Sequence, residues 1–384
     1  MVDLNNEEEL EEFLSALPHR ARVSFAARAT LRAAPAAFQL ASQQHFDSFR
    51  QKYLLTCIRA NLVAATAATL TVSEINSEFD RSTEFSFAIA DSDDPNERGS
   101  HNYIVAARSA IFAALSAAVS TLSARHARAA AVSSRGAARS DLSADVADSA
   151  ALSFAPNETH QLFATSLWPS GAPDVLANAI RNFENSSPGT PWAFWAKWYR
   201  GMLDGKPLDW ELQRRVALID DAIWEAGAEA VAQEIERIEQ LFDLEREIAA
   251  LKNMLPLRSA LSSTSLIGDN GGPPLDDGVQ RAVRDDFVLV WDQIEDLEAE
   301  IAKPEPSPGR LKAIAKTLWD ISVRIATYCG GKIDLALTEA SKEAGKVVVK
   351  WGAPIVIASL ASQNEGIQQV FKAIGAFVKT LPPG

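Results

Sequence analysis

The sequence predicts an all-α fold: an alanine-rich helical bundle, then a tryptophan-rich helical module, then long amphipathic helices. Three observations predict it. The first 160 residues hold 36 alanines and no tryptophan, and alanine has the highest helix propensity. Further on, apolar residues recur at spacings of three and four, the helical period, without strand-like alternation. Proline and glycine gather between those runs and leave them uninterrupted.

At 384 residues, 47% hydrophobic and 23% charged, the chain has the composition of a globular protein of two or three domains. Its net charge of −13 is unevenly spread: residues 1–160 carry −5, 161–303 carry −12 and 304–384 carry +4. Such a body repels phosphate, so nucleic acid is not an expected partner. Cys57 and Cys329 form no CxxC or CxxH spacing. Neither a disulfide framework nor a structural zinc site is expected, and each cysteine reads as a small buried apolar residue. Five glutamates stand among the first twelve residues, where a secretory signal has basic residues and then an apolar run. The expected location is cytoplasmic, peripheral to the inner face of the membrane.

Taken in order, Ser24–Ala37, Tyr53–Ile75 and Tyr103–Val132 read as alanine-rich helices, whose small faces let backbones approach closely. Residues 91–100 form a turn; their aspartates lack the glycine and terminal glutamate of a calcium loop. Residues 133–160, rich in serine and aspartate, read as a connection. All nine tryptophans lie between Trp168 and Trp351. Thr190-Pro191 is a helix-opening pair, followed by Trp192, Trp195, Trp198 and Tyr199 on one stripe. An aromatic stripe of this kind stacks a planar ligand or forms a core seam, and the seam is the expected role. Asp209 caps a helix carrying Trp210, Val216, Ile219 and Trp224. A long amphipathic helix runs from Val231 through Ile238, Ile248 and Leu251 to Leu255, where Pro256 stops it.

Residues 256–284 read as a linker. A second amphipathic helix starts near Asp285 and carries Ile294, and a third runs from Leu311 to Tyr328 before Gly330-Gly331. The helices flanking the linker are expected to pair antiparallel. The expected domains are thus 1–160, 161–255 ending in the long helix, and 285–384 beyond the linker.

The tail differs in kind. Beyond residue 303 lysines outnumber arginines 8 to 2, whereas the first 160 residues have 13 arginines and one lysine. The run from Lys346 through Lys350 and Trp351 to Ala361 is apolar but too short to span a bilayer, which takes about 20 apolar residues. An amphipathic helix follows. Lys346, Lys350, Trp351, Ile355, Ile357, Ile367, Phe371, Ile374 and Phe377 are the expected membrane-contact residues, since an apolar helix bordered by lysines suits a lipid interface.

Catalytic patterns are sought and not found. The five histidines belong to no HExxH, and Gly268–Pro274 is neither GxGxxG nor a phosphate loop. The carboxylates between Asp220 and Glu247 have no accompanying Glu-x-x-His and read as a solvated helix face. No catalytic residue, cofactor or metal is assigned.

Trp192-x-x-Trp195-x-x-Trp198-Tyr199, then Asp209-Trp210-Glu211, then Gly268-Asp-Asn-Gly-Gly-Pro-Pro274 resemble a family of uncharacterised bacterial helical proteins with a GHNxxPP-type linker element. The likeness runs from about residue 15 to 280. Asp269 stands where that element has histidine. The resemblance implies a constant sensing or assembly part joined to an exchangeable effector end. The expected function is a non-enzymatic assembly protein with a membrane-docking or membrane-disrupting tail, a bacterial defence or toxin effector. It would self-associate, contact an anionic membrane surface and engage a protein partner. The alternatives are a scaffold whose partner surface is Ile238, Ile248, Leu251 and Ile294, or an enzyme with a pocket assembled from scattered residues.

Overall fold

The computed structural model describes residues 3–41, 48–68, 124–138, 143–155, 157, 159–262, 277–328 and 354–382. Every regular element among them is a helix and none is a strand. The chain divides into two compact units, Met1–Ile235 and Glu236–Gly384.

In the first unit, α1 (Glu7–Ala16) opens on Asn6, whose side chain accepts from the amides of Glu8 and Glu9. Next come α2 (His19–Ala41), α3 (Ser48–Ala67), α4 (Ala124–Ala138) and α5 (Ser143–Phe154). Two short helices with one longer one between follow: α6 (Thr159–Phe163), α7 (Asp174–Ser186) and α8 (Ala193–Leu203) complete the aromatic part, then α9 (Trp210–Ala217) and α10 (Asp221–Ala226). α2 is the axis of this unit. It packs against α3, α4, α5, α6 and α7, and every residue from Val23 to Phe38 is buried. Only small or apolar side chains suit a helix covered on all sides, which is why alanine dominates it.

Two arginines break that rule. Arg28 and Arg32 are 1% and 3% exposed, so each needs a full set of partners. Arg28 donates to Asp148 and to the carbonyls of Leu162, Thr165 and Ser166. Arg32 donates to Asp145 at 2.7 Å, to Asp148 and to the Leu167 carbonyl at 2.9 Å. Burial pulls the Arg28 pKa down, and the Asp148 charge pulls it back up. The segment that supplies the carbonyls is tied in place by Leu167 N–H donating to the Leu203 carbonyl. It also lies directly on the turn at Gly205, whose φ is +68° and where a Cβ would fall 2.6 Å from the Thr165 carbonyl carbon.

This network corrects two expectations. Residues 133–160 are not a plain connection, because α4, α5 and α6 occupy much of them; Asp145 and Asp148 there are buried counter-ions. Nor does the first unit end at residue 160, since α2 is bonded to the segment 162–167 and Tyr199 donates to the Leu31 carbonyl at 3.1 Å.

The tryptophan stripe is a core seam. Trp195 and Trp198 are 1% exposed and meet edge to face at 6.0 Å. Trp198 Nε1 donates to Gln213, which in turn donates to the Leu208 carbonyl. Asp209 caps α9 as expected, by accepting from Glu211 N–H. Cys57 is buried and Arg59 lies over the Trp224 ring while pairing with Asp221.

The second unit is built from the greater part of α11 (Ala228–Met254), with α12 (Arg258–Ser262), α13 (Asp277–Ile301), α14 (Pro308–Tyr328) and α15 (Pro354–Thr380). The domain boundary thus falls inside α11 and not at residue 255. The expected linker 256–284 contains α12 and the first turns of α13; its residues 263–276 lie outside the described residues.

Candidate functional site in the carboxyl-terminal bundle

The second unit folds around one apolar core. Ile248 and Leu251 of α11, Val290, Ile294 and Leu297 of α13, Ile314, Leu318 and Ile321 of α14, and Ile367, Val370, Ile374 and Phe377 of α15 belong to it. The three- and four-residue spacings of all four stripes are used together, as the helical period requires.

Ion pairs set the directions. Lys252 bonds Glu298 at 2.9 Å, and Arg258 bonds Asp292 at 2.7 Å and also Glu295. Rising number on one side meets falling number on the other, so α11 and its extension run antiparallel to α13. Arg324 with Asp286 at 2.6 Å and Arg310 with Asp296 at 2.7 Å show the same for α13 and α14. At the turn between those helices, buried Glu300 accepts from Lys303 Nζ at 2.5 Å and from Ser307 N–H at 2.7 Å. The Lys303 ammonium and then the Ser307 amide hold its carboxyl below the ordinary glutamate range.

α15 is attached differently along its length. Its carboxyl-terminal half is held by apolar contact through Ile374 and Phe377, both 0% exposed. Around residues 360–368, amides and a hydroxyl add polar contacts. Gln363 donates to the Met254 carbonyl at 2.9 Å, and Ser322 donates to Asn364 Oδ1 at 2.8 Å. Gln368 donates to Ser322 at 3.3 Å. Asn364 is wholly buried, and its Nδ2 finds no acceptor. Gly366 lets α15 approach α11, because a Cβ there would fall 2.7 Å from Met254 Cε.

These positions bear directly on the expected site residues. Ile367, Ile374 and Phe377 are core residues, and Phe371 is half-buried with its ring 5.1 Å from that of Trp319. The face expected to meet lipid is therefore covered by the chain's own helices in this structure. Ile355 and Ile357 fall within α15, though the structure describes no side-chain environment for them; Lys346, Lys350 and Trp351 lie outside the described residues. The expected partner surface is also internal. Ile238 is 7% exposed, and Ile248, Leu251 and Ile294 sit in the bundle core. The physical reason is common to both corrections: α11, α13, α14 and α15 each carry an apolar stripe, and four stripes in one chain satisfy one another.

What periodicity left unmarked is the opposite side of α14 and α15. Lys312, Lys316, Lys372 and Lys379 are exposed there. Their spacing gave no signal, because whether a lysine is paired is settled by neighbouring helices.

Among the described residues, no helix is long and apolar enough to cross a membrane, and no group of three or more His, Cys, Asp or Glu is placed to hold a metal ion. Comparison with protein families, with curated proteins and with solved structures finds no match.

Proposed function

We propose that this protein is a non-enzymatic helical assembly protein whose carboxyl-terminal bundle docks on an anionic membrane surface, in the manner of a bacterial defence or toxin effector. The observation that carries this reading is the construction of α15. It is long and amphipathic, its apolar side is taken up by the bundle, and its outer side carries Lys372 and Lys379 in a chain of net charge −13. Helices of this kind bind lipid interfaces through apolar area and attraction to anionic headgroups together.

Liposome flotation tests the reading. The full chain is expected to float with vesicles containing phosphatidylglycerol and to stay behind with pure phosphatidylcholine. A chain ending at Gly345, shown helical by circular dichroism, is expected to float with neither. A full chain that floats with neither overturns the proposal.

A scaffold is the second reading; with all four stripes buried, its partner would meet the bundle's outer faces, where Met254, Leu257, Leu289 and Val323 are exposed. A light-scattering mass above the monomer without lipid, together with no flotation, supports it.

A further inference from the structure

We infer that the membrane-docking surface is the outer seam between α14 and α15 of the closed bundle, where Lys312, Lys316, Lys372 and Lys379 meet anionic lipid headgroups around the Trp319–Phe371 pair. The inference rests on the membrane reading above and adds that α15 stays in the bundle when the protein docks.

The first argument is charge pairing. Among the described residues of the bundle, several other basic side chains are neutralised by the chain itself. Lys252, Arg258, Arg310 and Arg324 pair with α13, and Lys303 pairs with Glu300. The four seam lysines are exposed, and none of them forms an ion pair with a described residue. Asp320, one turn beyond Lys316, and Glu365, near the middle of α15 and two turns before Lys372, are the carboxylates of these two helices; both are exposed, and neither pairs with a seam lysine. Four ammonium groups without counter-ions stand out on an acidic chain.

The second argument is placement. Lys312, Lys316 and Trp319 are spaced i, i+4, i+7 and so share one row of α14. On α15, Gln368, Lys372, Gly375 and Lys379 are spaced i, i+4, i+7, i+11 and share another. Trp319 contacts Phe371, and Gln368 donates to Ser322, so each row is the edge of its helix that borders the other. Ser322 faces Asn364 while Trp319 faces Phe371, which makes the helices antiparallel and brings Lys316 level with Lys372. A Cβ at Gly375 would meet nothing within 4 Å, so the ground between Lys372 and Lys379 is open.

The third argument selects the partner. Trp319 is half-buried at the centre of the patch, and tryptophan with lysine around it is the composition of an interfacial anchor.

The experiment uses the full chain and vesicles of phosphatidylcholine with and without phosphatidylglycerol. Variants are the pairs Lys312→Gln with Lys316→Gln and Lys372→Gln with Lys379→Gln, and all four together. The control is Lys197→Gln with Lys206→Gln, outside the bundle. At about fivefold per lysine near an anionic leaflet, each seam pair is expected to weaken vesicle binding about 25-fold. The quadruple variant is expected to lose it, and the control to bind as the parent does. Amides of residues 360–381 are expected to keep their hydrogen-exchange protection on vesicles. A parent that binds while the quadruple variant binds equally overturns this inference and leaves the membrane reading standing. A parent that binds neither vesicle overturns the membrane reading, and this inference with it. Loss of protection in 360–381 on binding, a control as weak as the seam variants, or tighter binding to a single-stranded oligonucleotide than to vesicles also overturns it.

Discussion

Arg28 Nε donates to both carboxylate oxygens of Asp148, at 3.1 and 3.0 Å, across 120 residues of chain. Arg32 shares the same carboxylate, so one aspartate compensates two guanidiniums inside the first unit. Asp148→Ala leaves both arginines with Asp145 as their only carboxylate. The expected loss is about 3–5 kcal/mol, the usual effect of removing one partner of a buried ion pair. Urea denaturation measures it, and a loss below about 1 kcal/mol would contradict the account.

The polar contact at the α14–α15 seam predicts the opposite sign. Asn364 is buried with its Nδ2 unbonded, a situation that costs about 1–3 kcal/mol. Replacing Asn364 by Leu and Ser322 by Ala together is expected to raise stability by about 1 kcal/mol and to slow hydrogen exchange in α15. A fall in the urea midpoint would show that the pair contributes more than it costs.

Phe377 and Phe371 separate two roles on one helix. Phe377 is fully buried, so Phe377→Ala is expected to lose about 3–5 kcal/mol and the exchange protection of α15. Phe371→Ala, at a half-buried ring, is expected to lose clearly less. Equal losses would show that the α15 core does not end where the structure puts it.

Glu300 makes an acid-side prediction. Its folded pKa lies below the ordinary value, so its contribution is fully present above the unfolded pKa of about 4.3 and is lost as pH falls through the lower folded value. Glu300→Gln is expected to lower the thermal midpoint near neutral pH and to cost progressively less below about pH 4. A gap between variant and parent that is constant with pH would remove the charge from the explanation.

Cys57 is expected to resist alkylation in the native state. Burial pushes its thiol up to about 12, and the thiolate is the reactive form. Mass spectrometry of the peptide containing Cys57 after iodoacetamide is expected to show label only in denaturant.

Much of the second unit was legible in the sequence. The stripes through Ile248, Ile294 and Ile321 have helical spacing because each lines one core, and α14 carries its expected stripe from Leu311 to Ile325. The start of α13 was not legible: Asp277–Arg284 precedes the apolar stripe and reads as linker, yet the helix extends through it. The helical nature of 143–154 was hidden for a related reason. Asp145 and Asp148 look like turn residues until Arg28 and Arg32, more than 110 positions away, are seen to need them. The candidate site was half legible. Periodicity marked Ile367, Ile374 and Phe377 as one apolar face, but what covers that face is decided by three other helices. The pairing of Arg310 and the freedom of Lys312 likewise depend on where Asp296 lies, which local spacing does not encode.

The turn at Gly205 has a reach beyond its own backbone. It supports the stretch whose carbonyls surround Arg28 and Arg32, so a single added methyl at 205 would press on Thr165 and draw those oxygens away from the guanidiniums. A lesion that begins as crowding at a residue without an ionisable group would thereby end as a charge defect inside the first unit, around Arg28, Arg32 and Asp148.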